Sequence, residues 1–178
     1  MAATTDKLVH GKAWKYGDNV DTDVILPGRW CHLTKPDEIR PHCFEDLDPG
    51  FPGKVAPGDV VVAGDNFGCG SSREIAPLAI KSAGVSLVIA KSFARIFYRN
   101  CINIGLAILV APEAAEAIRS GDLVEADLAA GTILLPERDL RFTSAPFPDF
   151  VRQILAKGGL VDYLKDRFST GHGGLQPP

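Results

Sequence analysis

Residues 64–74 run Gly-Asp-Asn-Phe-Gly-Cys-Gly-Ser-Ser-Arg-Glu, and this stretch separates two patterns of different period. Before it, the apolar run at 60–63 indicates a buried strand; after it, the spacing of apolar residues predicts a helix over 72–83. Gly68 and Gly70 allow a tight turn and a close approach to a ligand, because glycine reaches backbone conformations that are closed to other residues. The stretch is therefore predicted to be a glycine turn between a strand and a helix.

Two hydroxyls and a guanidinium follow the glycines, at Ser71, Ser72 and Arg73. At a helix start, free backbone N–H groups and the positive end of the helix dipole point outward. This combination predicts a site for a carboxylate or a phosphate. Helix capping by one of the two serines is the simpler interpretation, but it explains neither the Gly-x-Gly pattern nor the adjacent arginine. The spacings of a P-loop and of a dinucleotide-binding turn are both absent.

Three blocks of sequence, in this order and spacing, resemble one known family. They are residues 17–25 (Gly-Asp-Asn-Val-Asp-Thr-Asp-Val-Ile), residues 66–74, and residues 90–106, which contain Lys-Ser-Phe-Ala-Arg-Ile-Phe-Tyr-Arg-Asn. Together they resemble the small subunits of the aconitase superfamily, and most closely those of 3-isopropylmalate dehydratase. The resemblance implies an α/β fold, the swivelling β/β/α three-layer domain of the aconitase C-terminal type, with a largely parallel central sheet.

The secondary-structure pattern is compatible with that fold. A β-α-β-α-β order predicts parallel strands with helices packed on the sheet. The domain is expected to cover residues 1–168, with a long, substrate-reading loop at 27–58 and a flexible tail at 169–178. Predicted strands are 13–16, 59–63, 87–90, 107–110, 122–126 and 131–135; predicted helices are 36–42 with Thr34 as its cap, 72–83, 93–102, 112–120 and 150–156.

Composition limits the possible partners and the compartment. The chain has 178 residues and a formal net charge of −3, so we expect neither nucleic acid nor an anionic membrane as a partner. No apolar run is long enough for a membrane span, and residues 1–12 lack the apolar core of a signal peptide, which predicts a cytoplasmic protein. The four cysteines show neither Cys-x-x-Cys nor zinc-ligand spacing and are expected to be reduced; they are Cys31, Cys43, Cys69 and Cys101.

Isolated cysteines do not predict an iron–sulfur cluster in this chain, since a cluster needs thiolates that lie close together. The resemblance implies instead that a [4Fe-4S] cluster belongs to a separate large subunit, in a heterodimer or heterotetramer. No metal is expected on this chain, and the resemblance implies that it contributes only half of an active site. We therefore expect the isolated chain to be folded but inactive.

The reaction that the resemblance implies is the removal and re-addition of water on a small hydroxy di-acid, which shifts a hydroxyl to the neighbouring carbon. Ser71 then has the role of catalytic base, as an alkoxide stabilised by backbone donors such as Gly70 and by the guanidinium of Arg73. Ser72 and Arg73 would bind substrate carboxylates. Asp23 would orient an acid–base partner from the large subunit, although a turn residue is the simpler interpretation; Asp21 is expected to be structural.

Substrate choice is expected in the long loop. Family members that accept tricarboxylates carry an arginine at the position that His32 occupies here, and Trp30 and Leu33 offer apolar surface for an alkyl group. This favours isopropylmalate or another alkyl-substituted malate over homocitrate, unless Arg29 supplies the charge. Ile75 stands where many relatives have His or Gln, so a methyl- or dimethylmalate hydro-lyase stays open.

Other interpretations remain beside this one. The chain could be a non-catalytic swivel module that binds an anion or regulates a large partner, although such a module would not need two serines and an arginine together. Redox chemistry at Cys69, near a helix start, is a third idea. Arg95 and Arg99 lie on one helix face, and we favour a scaffold role for both, with Arg95 paired to an acid such as Glu74 or Asp65.

Overall fold

The computed structural model describes residues 8–169, which form one seven-stranded sheet with helices around it. The strands are β1 (Leu8–Lys15), β2 (Val60–Ala63), β3 (Leu87–Ala90), β4 (Ala107–Val110), β5 (Leu123–Asp127), β6 (Thr132–Leu135) and β7 (Leu140–Thr143). The helices are α1 (Thr22–Ile25), α2 (Pro36–Ile39), α3 (Phe51–Lys54), α4 (Ile75–Ser82), α5 (Arg95–Ile104), α6 (Pro112–Ala117), α7 (Asp149–Ala156) and α8 (Leu160–Ser169).

The strand order is β4-β3-β2-β1-β5-β6-β7, and the two halves of the sheet differ in direction. Strands β1 to β4 pair in parallel, whereas β5, β6 and β7 continue the sheet in antiparallel fashion. Every residue of β2 and β3 is buried, as expected for parallel strands that are covered on both faces. Alternate residues of β5 and β6 are buried, which is typical of strands with one covered face.

Helices lie in two places around the sheet. Helices α4 and α5 contact each other, α4 also contacts α1 and α2, and α5 contacts α7 and α8, so six helices form a connected layer. Helix α6 instead contacts β3 and β7. These strands are far apart in the strand order, so the sheet curls to bring both to one helix. The predicted three-layer α/β arrangement is confirmed.

The predicted boundaries were right for the buried strands and less so elsewhere. Strands β3 and β4 have the predicted limits, whereas β1 begins five residues earlier than predicted, at Leu8. Helix α6 ends at Ala117 rather than at residue 120. Strand β7 and helix α8 were not predicted. The expected tail at 169–178 begins with Ser169, which is the last residue of α8; the rest of it lies outside the described residues.

The segment at 27–58, predicted to be a long loop with one short helix, is more structured than expected. The segment contains α2, α3 and two 3-10 turns, Gly28–Trp30 and Arg40–His42, and it contributes fully buried side chains to the core: Ile39, Cys43, Phe44 and Phe51. Residue Lys35, not Thr34, is the N-cap of α2, and it makes no side-chain capping bond. The helix predicted over 36–42 tightens into a 3-10 turn after Ile39, where Pro41 has no backbone N–H to continue it.

Candidate active site

The three sequence blocks meet at the carboxyl end of β2. The glycine-rich loop at 64–72, which contains Ser71 and which we call the serine loop, lies between the early block and the segment that follows β3. On one side, the Gly68 N–H donates to the Val20 carbonyl at 2.8 Å, and the Thr22 N–H donates to the Cys69 carbonyl at 2.9 Å. On the other side, the Phe67 N–H donates to the Ser92 carbonyl at 3.0 Å. Backbone pairing on both sides therefore fixes the loop.

Both glycines of the Gly-x-Gly pattern have positive φ angles, as the turn prediction requires. Gly68 has φ +75°, and a Cβ there would lie 2.1 Å from the ring of Phe97, which is almost fully buried. Gly70 has φ +93°, and a Cβ there would lie 3.2 Å from the Thr22 hydroxyl. Only glycine allows this loop to approach α5 on one side and α1 on the other.

Ser71 is held by Thr22, a buried residue with 1% exposure. The Thr22 hydroxyl oxygen lies 3.0 Å from the Ser71 hydroxyl. The same oxygen accepts from the Ser71 N–H at 3.1 Å and lies 3.3 Å from the Ser71 carbonyl. One buried hydroxyl thus fixes both the backbone and the side chain of the proposed base, which is itself partly exposed.

Arg73 lies beside Asp23, with which it forms an ion pair. The same guanidinium nitrogen, Nη1, also lies 3.4 Å from the Cys31 sulfur. The neighbouring sulfur and the Asp23 carboxylate raise the pKa of Arg73 above its ordinary value, so the group stays charged. Both side chains of the pair are partly exposed, and Ser72 is exposed. The pair therefore lies open beside the serine loop, where a ligand can reach it.

The helix does not begin where the sequence predicted. Helix α4 begins at Ile75, its N-cap is Glu74, and no side chain makes a capping bond, so neither serine caps it. The Asn100 side chain donates to the Ser72 carbonyl at 3.2 Å. The hydrogen-bond partner of this carbonyl is therefore a side chain and not a backbone N–H of a helix. The positive end of the α4 dipole therefore lies at Ile75, about one turn further along the chain than the predicted helix start at residue 72. Ile75 is partly buried and packs against the core.

A cluster of polar and aromatic groups fixes the turn at residues 28–30. The Trp30 ring stacks on His42 with a centroid distance of 3.7 Å, and its N–H donates to Glu45 at 2.5 Å. Arg29 donates to both oxygens of Asp46, at 2.8 and 2.7 Å, and to Glu45. The hydrogen bonds from Arg29 lower the pKa of the Asp46 carboxyl below its usual range.

The predicted specificity residues lie near this turn. Leu33 and Trp30 are partly buried against the core, whereas His32 is exposed and its Nδ1 lies 3.0 Å from the Arg29 carbonyl. A Cβ at Gly28 would lie 3.2 Å from the Arg73 guanidinium, so the turn borders the site there and at Cys31. Because Arg29 is paired with two carboxylates, it is already engaged within the chain.

The cysteines do not form a cluster site. Cys43 and Cys101 are buried, and burial raises the pKa of both thiols, which disfavours the thiolate that iron needs. Cys31 and Cys69 are partly exposed, and all four cysteines are free. Within residues 8–169, no three His, Cys, Asp or Glu side chains are grouped so that they could hold a metal ion.

No helix of this part of the chain is long and apolar enough to cross a membrane.

The sequence analysis assigned no role in the site to three residues that the structure brings to it. They are Thr22, Cys31 and Asn100. All three contact the serine loop or Arg73 across long sequence separations. Asp21, expected to be structural, accepts from the Val24 N–H at 2.8 Å and caps α1.

The arginines of α5 have no acidic partner among the described residues. Arg95 was expected to pair with Glu74 or Asp65. Both Arg95 and Arg99 are exposed, and neither forms an ion pair in the part of the chain that the structure describes. The ion pairs that a scaffold role for Arg95 and Arg99 would require are therefore absent from this part of the chain.

Comparison with known proteins first defines the class. Residues 44–114 match the aconitase C-terminal domain. A solved 3-isopropylmalate dehydratase structure from Methanocaldococcus jannaschii is 48% identical, with a TM-score of 0.87 over 94% of this chain and 100% of that one.

The curated relatives then narrow the class. The 3-isopropylmalate dehydratase small subunit of Halothermothrix orenii is 59% identical over 87% of this chain and 94% of its own length. The 2,3-dimethylmalate dehydratase small subunit of Eubacterium barkeri is 54% identical over 86% of this chain and 94% of its own length. This chain belongs to the family of 3-isopropylmalate dehydratase small subunits.

Proposed function

We propose that this chain is the small subunit of a two-subunit hydro-lyase that interconverts 2-isopropylmalate and 3-isopropylmalate through isopropylmaleate, a step of leucine biosynthesis. The observation that carries the proposal is the Ser71 hydroxyl, 3.0 Å from a buried threonine hydroxyl and next in the loop to the exposed Ser72 and the Arg73–Asp23 pair. The name of the relative at 59% identity supports the same assignment.

Ser71 would act as the base. Its oxygen would take the proton from a carbon next to a substrate carboxylate, the electron pair of that C–H bond would form the double bond, and hydroxide would leave the neighbouring carbon. A serine hydroxyl is too weak an acid to ionise in water. The donor at Thr22 and the positive charge of Arg73 favour the alkoxide, and a partner that excludes water would strengthen both contributions.

Arg73 and Ser72 would bind the carboxylates. Asp23 and Cys31 both contact Nη1 of Arg73. This leaves Nη2 and Nε, which have no hydrogen-bond partner among residues 8–169, as the donor pair for a bidentate substrate carboxylate. Asp23 fixes the guanidinium, and its side chain is 57% exposed. It would therefore also be available to orient an acid–base group of the large subunit.

The Lewis acid that removes the hydroxyl would belong to the large subunit. The buried, protonated thiols of Cys43 and Cys101 do not suit iron ligation in this chain, so we assign the [4Fe-4S] cluster to the partner. The complex would be a heterodimer or heterotetramer of the two subunits. The four free thiols suit a reducing compartment, and we assign the chain to the cytoplasm.

The substrate assignment rests on the turn that borders Arg73. Arg29 is engaged with Asp46 and Glu45, so the turn offers no free guanidinium for a third carboxylate. His32, Trp30 and Leu33 would instead accept an alkyl group. The 54% identity to a 2,3-dimethylmalate dehydratase small subunit makes dimethylmalate the second candidate. Homoaconitate and a purely anion-binding module are less well supported.

Reconstitution with the cognate large subunit under anaerobic conditions tests this function. Hydration of isopropylmaleate, dimethylmaleate and homoaconitate would be assayed with the wild type and with Ser71→Ala. We expect preference for isopropylmaleate and a loss of kcat of about 10²–10⁴-fold in the variant, the range of a general base, with subunit affinity unchanged. Turnover that survives Ser71→Ala would refute the role of the serine, and preference for dimethylmaleate would establish the second candidate.

A further inference from the structure

A concavity of about 370 Å³ lies at the carboxyl ends of β3 and β4, beside the first turns of α5. It is lined by Ser92, Phe93, Arg95, Tyr98, Arg99 and Val110. The proposed mechanism uses none of these side chains. We call this surface, together with the neighbouring Ile96, the α5 face.

The α5 face combines free positive charge with exposed apolar surface. Arg95 and Arg99 are exposed, are four residues apart on one helix, and have no ion pair among the described residues. Ile96 is 53% exposed and Val110 is 46% exposed. Aromatic residues and arginine are enriched at protein–protein interfaces, and Phe93 and Tyr98 are only partly buried here. The composition suits a protein partner that carries carboxylates beside apolar side chains.

The face is continuous with the proposed active site. The Ser92 hydroxyl accepts from the Asn66 N–H at 2.8 Å and donates to the Asp65 carboxylate at 2.9 Å, both in the serine loop. Further along α5, Asn100 donates to the Ser72 carbonyl at 3.2 Å. The same helix thus presents the arginines and supports the loop, so a subunit that closes over Ser71 would reach the α5 face as well.

We infer that the α5 face docks the large subunit, through carboxylates of that subunit that pair with Arg95 and Arg99 and apolar side chains that cover Ile96 and Val110. This inference rests on the proposed function. Two arginines are fewer than the cluster of about four to eight basic residues that typically binds anionic lipid. A protein surface is therefore the better match.

Charge reversal tests the inference with a matched control. Arg95→Glu, Arg99→Glu and the double variant would be compared with Arg141→Glu, which alters an exposed arginine without an ion pair among residues 8–169 on β7, at the opposite edge of the sheet. Calorimetry against the cognate large subunit at several salt concentrations gives Kd. We expect Kd to rise about 10-fold or more for each single α5 variant, as for interface hot spots, and to stay unchanged for Arg141→Glu.

Two further readouts separate docking from other roles. The salt dependence of the association rate should weaken in the double variant, because rim charges steer encounter. Turnover should recover when the large subunit saturates the variant, because the serine loop is unaltered. Unchanged Kd in all α5 variants, with wild-type turnover intact, would overturn the docking inference and leave the proposed function standing. A wild-type chain that forms no complex and gives no turnover would overturn the proposed function and the docking inference with it.

Discussion

At the scale of single residues, the hydrogen bonds of Thr22 constrain how Ser71 can work. The Thr22 oxygen accepts from the Ser71 N–H at 3.1 Å, and its single proton can go either to the Ser71 carbonyl at 3.3 Å or to the Ser71 hydroxyl at 3.0 Å. The second choice is shorter and would stabilise a negative oxygen. We therefore propose that Thr22 is a positioning residue, whose hydroxyl would favour the ionised serine.

Replacing Thr22 with valine should slow the chemical step, because valine keeps the shape and removes the hydroxyl. We expect kcat to fall about 10²-fold, as when one oxyanion donor is lost, with little change in KM. The ascending, acidic limb of the pH–rate profile should move to higher pH, since the alkoxide loses a stabilising donor and the serine then ionises at higher pH. Steady-state kinetics of the reconstituted enzyme give all three quantities.

Thr22→Ser is the matched control, because it restores a hydroxyl at the same position. It should recover most of the rate, and thermal unfolding should confirm that both variants are folded. A serine variant as slow as the valine variant, with an unmoved pH profile, would show that packing rather than the hydroxyl matters at this position.

The sequence predicted some site residues and missed others for one physical reason. Ser71, Ser72 and Arg73 are adjacent in the chain, so their shared chemistry is visible as a motif. The Thr22–Ser71 contact joins residues 49 positions apart. A threonine between two aspartates carries no local signal of that contact, and neither does the cysteine at 31.

At the scale of elements, burial decided what could be predicted. Strands β3 and β4 lie within the core and show continuous apolar runs, so their limits were predicted correctly. The start of α4 was wrong because its first turn depends on a tertiary contact, the bond from Asn100 to the Ser72 carbonyl. Strand β7 was missed because it has four residues, none fully buried, and thus gives a weak pattern.

The tight packing of the serine loop predicts how a substitution at Gly68 changes stability. Gly68→Ala should destabilise the chain by about 2–5 kcal/mol, the sum of about 1–2 kcal/mol for a left-handed backbone and about 1–3 kcal/mol for overpacking. The overpacking arises because the new Cβ would lie 2.1 Å from the ring of the buried Phe97. Denaturant unfolding of the isolated chain measures the free energy of unfolding.

Gly121→Ala separates the two contributions. Gly121 has φ +89°, and a Cβ there would meet no heavy atom within 4 Å. It should cost only the backbone contribution, about 1–2 kcal/mol. Equal losses in the two variants would mean that Phe97 yields to the added methyl group and that the loop is less tightly packed against α5 than the geometry implies.

At the scale of the whole molecule, the core is complete but the proposed site is not. Strands β2 and β3 are fully buried without any partner. The parallel direction of β2, β3 and β4 followed from the β-α-β-α-β pattern. The antiparallel half, in contrast, curls towards α6 through contacts that no local pattern encodes. By contrast, Ser72 is exposed and the Asp23 side chain is 57% exposed, so water has free access to the serine loop.

Folding and activity should therefore separate in the isolated chain. We expect it to unfold cooperatively on heating, with native circular dichroism and no measurable hydration of isopropylmaleate, because an alkoxide at an open, solvated loop is not stabilised. Addition of the large subunit should raise Tm in proportion to binding and produce turnover that saturates at one large subunit per chain. Turnover by the chain alone would contradict the half-site, and an isolated chain without a cooperative transition would mean that the partner completes the core as well as the site.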